Sequence, residues 1–247
     1  MTLEFLGYVL AGFLAQLVDG SMGMAYGVTA SSLLLTYGIP PAATSATVHA
    51  AECLTTGASA VSHHAFGNVD RVLLKRLLLP GVLGAVCGAT ILVRLPGDVL
   101  RPFVASYLLV MGAVIVLKAF RPFPPRNVTS HLAPLGFFGA LADAIGGGGW
   151  GPIVATTLVA RGNNPRRTIG TVNAVEFFVT VAASVTFFLA LGLTHWRMIA
   201  GLAIGGVLAA PLAAWTCRRA PLKPLMIGVG VLVILLSVRT LALTVAR

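Results

Sequence analysis

Acidic residues are scarce in this sequence: there are seven in 247 residues, and only 10% of the chain is charged at all. A soluble domain carries about 25% charged residues, so this chain has too little polar surface for one. Cysteine is also scarce. Cys53, Cys87 and Cys217 all fall in hydrophobic stretches and read as small packing residues rather than disulfide or metal partners. The longest polar connection, about 118–130, leaves no room for a separate soluble domain, so 1–247 is expected to be a single transmembrane domain. The first residues hold Glu4 and no Lys or Arg, so no cleavable signal is expected. Neither a Gly-x-Ser-x-Gly elbow nor a His-Glu-x-x-His zinc motif occurs. An enzyme, a cofactor and a metal site are therefore not expected. Asp19 and Asp143 could form an aspartyl dyad, but duplication alone also explains a matched pair of acids.

What the chain has is apolar length, with 57% hydrophobic residues. Spans read as 42–62, 77–93, 99–117, 168–193, 198–215 and 225–246, near the roughly 20 residues needed to cross a bilayer. The net charge of +10 is placed as a topology signal. Most basic residues sit in four loops: Arg71/Lys75/Arg76, Lys118/Arg121/Arg126, Arg161/Arg166/Arg167 and Arg218/Arg219/Lys223. Arg94, Arg101, Arg197, Arg239 and Arg247 are scattered. This is the positive-inside pattern of a cell membrane protein. No basic face with interleaved aromatics suggests nucleic acid. The sequon Asn127-Val128-Thr129 lies in a loop expected to be cytoplasmic.

Shifted by 124 residues, the sequence overlays on itself. Gly12, Phe13, Asp19, Gly23 and Gly27 meet Gly136, Phe137, Asp143, Gly147 and Gly151. Gly38 and Pro41 meet Gly162 and Pro165; Thr44, Thr47, Val48, Ala50 and Glu52 meet Thr168, Thr171, Val172, Ala174 and Glu176. With one more residue of shift, Gly67, Gly81 and Pro96 meet Gly192, Gly206 and Pro221. Such duplication decides architecture. The halves, 1–123 and 124–247, each hold five hydrophobic segments. The first two of each are short: 5–18 and 24–37, then 132–145 and 150–160. Between them lie Asp19-Gly20-Ser21-Met22-Gly23 and Gly146-Gly147-Gly148-Gly149. Glycine favours a turn over a helix interior. In lipid, irregular backbone survives only where protein or a cavity covers it. The expected fold is an all-α polytopic membrane protein of two inverted-topology repeats with broken or re-entrant helices at the Gly-rich motifs. Paired short, Gly-interrupted segments point to a transporter's binding site.

Asp19/Asp143 and Glu52/Glu176 are repeat-matched acids inside apolar segments. A carboxylate at a helix centre costs about 2.5–3.5 kcal/mol on insertion, so a path-lining or proton-handling role is the default. Asp19 and Asp143, beside the breaks, could instead cap the following half-helix; Glu52 and Glu176 could be buried hydrogen-bond partners. His49 lies three residues before Glu52 on one helical face, a candidate pair for proton exchange; Asn173 and Glu176 match it. His63 and His64 read as interfacial. The candidate substrate cradle is Gly20, Ser21, Gly23, Thr44, Ser45, Thr47 and His49 with Gly146, Gly147, Gly148, Gly149, Thr168, Thr171 and Asn173. No Lys or Arg falls clearly within it, so backbone N–H groups and helix N-termini would hold an anion.

The run Gln16-Leu17-Val18-Asp19-Gly20-Ser21-Met22-Gly23-Met24-Ala25-Tyr26-Gly27 carries a resemblance, with Gly38-Ile39-Pro40-Pro41, Ser45–Glu52, Ser62–Asp70 and Gly146-Gly147-Gly148-Gly149-Trp150-Gly151-Pro152. These residues resemble the sulfite exporter TauE/SafE family over essentially the whole chain. The resemblance implies a bacterial inner-membrane transporter of small sulfur-containing anions: sulfite, sulfonates such as sulfoacetate, or thiosulfate. An exporter is expected, since an inside-negative potential drives anions outward unaided. A proton- or cation-coupled transporter of another metabolite or metal ion, using the four carboxylates, is the alternative. The first half departs from the family pattern at Met22, Met24 and Ala25, and has Val28 where Pro152 aligns.

Overall fold

The computed structural model describes residues 3–120, 130–161, 163–192, 195–217 and 223–245. Arg121, Arg126, Arg218, Arg219 and Arg247, Gly162 and Pro221 of the repeat, the 127–129 sequon, and the span ends Leu193 and Ala246 lie outside them.

The described residues are all-helical. The helices are α1 (Leu3–Met22), α2 (Tyr26–Thr36), α3 (Pro41–Ala65), α4 (Arg71–Arg94), α5 (Gly97–Lys118), α6 (Leu132–Gly146), α7 (Thr156–Ala160), α8 (Pro165–Leu191), α9 (Trp196–Thr216) and α10 (Lys223–Val245). A π-helical turn, Gly151–Ala155, leads into α7. Helix starts follow local chemistry. Pro41 and Pro165 open α3 and α8, where proline's missing N–H costs nothing. Asp70 accepts from the N–H groups of Val72 and Leu73 to cap α4, and Asn164 accepts from Arg167 N to cap α8.

Among the described residues six helices are long and apolar enough to cross a membrane: α1, α4, α5, α8, α9 and the 227–244 part of α10. Large apolar side chains such as Leu79, Phe103, Leu189 and Leu235 point outward, as lipid contact requires. The expected span 42–62 forms, as α3, but is not among the six. Its buried Thr44, Ser45, Thr47, His49, Glu52, Thr55, Thr56 and Ser59 lower its hydropathy, because this helix packs inside the protein.

The first segment is longer than expected. Helix α1 runs through Asp19, Gly20 and Ser21, and only Gly23–Ala25 interrupts the chain before α2. Gly20 is tolerated because it packs against Ala213 of α9, where a side chain would not fit. The second break falls as expected, with Gly147 (φ 66°) and Gly148 (φ 154°) in conformations side-chain-bearing residues rarely take.

Helix α1 packs on α9, and α6 packs on α4; α3 meets α9, and α8 meets α4; α3 meets α8, and α5 meets α10. Each pairing exchanges with its mate, or with itself, under the sequence shift. The detail repeats too. Gly12 lies on the Leu202 carbonyl as Gly136 lies on that of Leu77, and Gly206 abuts Tyr26 as Gly81 abuts Trp150. In lipid, such small-residue contacts gain their stability from van der Waals packing at close backbone approach.

Candidate functional site

The two breaks meet each other. The Cα of Gly27 and that of Gly148 lie so close that a methyl group on Gly27 would come 2.7 Å from Gly148 Cα. The matching contact sets Gly151 against Gly23 and Met24, where a methyl would come 2.6 Å from Met24 Cα. Two helix starts thus pass backbone to backbone. Ser31 donates to the Gly147 carbonyl and Ser45 to that of Ala144 (2.6 Å), tying the second break to α2 and α3.

Each break is closed by its own aspartate. Asp143 accepts from the N–H of Trp150 (3.0 Å), seven residues on, and the matching Asp19 faces the N–H of Tyr26, also seven on. The capping alternative therefore describes what both do. Each caps the half-helix that an anion would otherwise approach.

Glu52 and Glu176 join them. Glu52 Oε1 lies against Gly27 at the crossing, and the four carboxylates are near enough to feel one another's charge. All four residues are buried. Asp19 Oδ2, Glu52 Oε2 and Glu176 Oε2 have no hydrogen-bond partner. Among the described residues no group of three His, Cys, Asp or Glu is placed to hold a metal. In five cavities formed by the described residues, none of the four acids is a lining residue.

His49 does not hydrogen-bond its helical neighbour Glu52. Its Nε2 pairs with Asp143 Oδ2 across the repeats at 3.1 Å. Ser45, one turn earlier, sets the ring: its carbonyl is 2.8 Å from Nδ1 and its hydroxyl 3.2 Å. Nδ1 must donate to that carbonyl, so Nε2 has two options. It donates as part of an imidazolium, or it accepts from a carboxylic acid; either way one proton sits between His49 and Asp143.

His63 departs from the interfacial reading; its neighbour His64 is exposed. His63 is fully buried and donates from Nε2 to the Gly20 carbonyl (2.7 Å). Its Nδ1 accepts from Asn68 (3.0 Å), whose oxygen accepts from Arg166. This chain of bonds fixes the end of α1 just before the first break.

The other candidates divide. Asn173 holds the same region, donating to the carbonyls of Ile169 (3.1 Å) and Asp19 (3.5 Å) and accepting from Ser59 (2.8 Å). Gly23, Gly146, Gly147, Gly148 and Gly149 form the breaks. Ser21 faces Thr216 of α9 (2.8 Å), and Thr44 donates to Ile39 O (3.3 Å). Thr47 donates to Ala43 O (2.7 Å). Thr171 accepts from Asp70 N (2.7 Å) and so braces the α3–α4 turn. Thr168 is buried. These hydroxyls serve helix packing more than the crossing.

Tyr107 and Ser31 were not singled out in the sequence. The Tyr107 ring covers Gly146 and its hydroxyl rests on Gly149 without a hydrogen-bond partner. No single signal marks them in the sequence: Tyr107 follows Ser106, and Ser31 stands among Thr29, Ser32 and Thr36.

A buried crossing of two broken helices, enclosed by long apolar helices, defines a multi-pass membrane transporter. The chain belongs to the sulfite exporter TauE/SafE family, whose profile matches residues 8–240. It is 43% identical over 244 residues to the probable membrane transporter protein YtnM of Bacillus subtilis (strain 168), covering 95% of this chain and 81% of that one. It is a transporter, not an enzyme. No solved structure matches it.

Proposed function

We propose that the chain exports small sulfur-containing anions (sulfite, a sulfonate such as sulfoacetate, or thiosulfate) across the inner membrane of a bacterium. The observation that carries this is the backbone crossing at Gly27 and Gly148, set among four buried carboxylates, in a chain of the sulfite exporter family. The halves 1–123 and 124–247 act as inverted repeats that rock about this crossing. The partners are the bilayer and the anion, with no nucleic acid.

The half-helix starts are already capped by Asp19 and Asp143, so an anion arriving there meets negative charge. The proton shared by His49 and Asp143 leaves that pair neutral, and protonation of Glu52 or Glu176 removes their negative charge, so that backbone N–H groups at the breaks can hold the anion. Export needs no other drive, since an inside-negative potential is worth about 2.3 kcal/mol per charge per 100 mV. The second reading, a cation or metal carried by the acids, draws on the unpartnered oxygens of Asp19, Glu52 and Glu176.

Proteoliposomes loaded with sulfite, thiosulfate, sulfoacetate or divalent metals separate the two. The expected outcome is saturable flux of a sulfur anion that responds to an imposed pH gradient and falls in Glu52→Gln. Metal flux without anion flux sinks the anion reading. Anion flux indifferent to both the gradient and Glu52→Gln sinks the proton coupling.

A further inference from the structure

A second polar feature lies away from the crossing. The C-terminal end of α2, the first turns of α5 and the end of α10 enclose a cavity of about 550 Å³, lined by Thr36, Tyr37, Gly38, Asp98, Arg101 and Thr244 among others. Arg101 is half-buried there. One Nη donates to the Leu35 carbonyl (2.8 Å), which also accepts from Gly38 N (3.0 Å) at the end of α2, and Nε has no partner. Asp98 stands one turn before Arg101 in the same cavity, yet the ion pair formed among the described residues is that of His49 and Asp143. The guanidinium therefore makes no direct ion pair among the described residues, although Asp98 shares its cavity. The threonines add little, because Thr36 and Thr244 spend their protons on the carbonyls of Ser32 and Thr240 (2.8 Å each).

We propose that this cavity is a second anion site, an exit vestibule on the face opposite the basic loops, in which Arg101 takes the sulfonate or sulfite oxygens as they leave the crossing. The proposal rests on the anion reading above. Guanidinium suits this chemistry, since its donors form a planar fork that matches oxyanions. Position suits it as well. Thr36 is five residues beyond Ser31 on α2, about 7.5 Å along the axis, and Ser31 bonds the second break. Asp98 has its own part: it weakens the site enough to let the anion move on, as conduction requires.

The test uses purified full chain. Arg101→Gln removes the charge while its amide can still donate to Leu35 O. Asp98→Asn removes the opposing charge without touching α2. The expected result, with sulfite supplied at the face that bears Arg101, is a KM about tenfold higher in Arg101→Gln, with maximal flux retained and a weaker dependence on ionic strength. Asp98→Asn shifts KM the other way, and Arg101→Lys falls between wild type and Arg101→Gln. Unchanged KM and salt dependence in both Arg101→Gln and Asp98→Asn, with wild-type flux intact, overturns the vestibule and leaves the exporter reading standing. If the wild type carries no anion, the exporter reading fails. Equilibrium binding of sulfite to the same three proteins then decides the vestibule: no binding, or equal binding by all, overturns it.

Discussion

The crossing of the two breaks makes a prediction that the repeat doubles. A methyl group added to Gly27 would meet Gly148 Cα at 2.7 Å and the Gly147 carbonyl oxygen at 3.0 Å. Both are backbone, so neither can swing away as a side chain can. Glu52 Oε1, also 3.0 Å off, could move, but only by leaving the crossing. Overpacking of this kind costs about 1–3 kcal/mol. In a chain of this size that corresponds to about 2–4 °C of melting midpoint per kcal/mol. Gly151→Ala should cost a similar amount, because its methyl would meet the Gly23 carbonyl and Met24 Cα. Gly148→Ala should be worse, as its methyl would run into the backbone of Gly27 and Val28 at φ 154°. Gly7→Ala is the control: nothing lies within 4 Å of the added methyl, and alanine is the better helix former. The assay is thermal unfolding in detergent beside flux in proteoliposomes. If Gly27→Ala and Gly151→Ala both keep the Gly7→Ala midpoint and full flux, the two breaks are not in backbone contact and the argument fails.

Other variants probe single contacts. Ala25 sits at φ 106°, a conformation that costs a residue with a side chain roughly 1–2 kcal/mol; Ala25→Gly should raise the midpoint, and a fall would refute the strain. Asp143→Ala should cost about 0.5–2 kcal/mol for the lost cap of Trp150, and more for the stranded His49 ring, while Asp143→Asn keeps the cap; equal midpoints for the two variants would count against that role. Asp70→Ala should destabilise by about 0.5–2 kcal/mol through the lost cap of α4, measurable as faster amide exchange at Val72 and Leu73. Trp150→Phe should cost about 0.5–1.5 kcal/mol for the bond to the Val172 carbonyl; an unchanged midpoint would show that bond to be dispensable.

The sequence by itself determined the helices, the duplication and the location of the second break. Hydrophobic length sets the first, and repeated Gly and acid positions set the others, because both are written along the chain. It also determined that the rare acids lie inside apolar segments. The tertiary structure decided what those acids do. Whether Asp19 caps Tyr26 or faces a path depends on α1 continuing to Met22, which its packing on α9 permits despite Gly20. His49 shares a helical face with Glu52, but its partner, Asp143, is 94 residues away. His63 looked interfacial by its place near a basic loop, and is buried because Gly20 and Arg166 arrive from elsewhere in the chain, Arg166 through the nearby Asn68. Hydrogen bonds that join distant segments leave no periodic trace in sequence. Only the packed fold shows which polar group each buried atom meets.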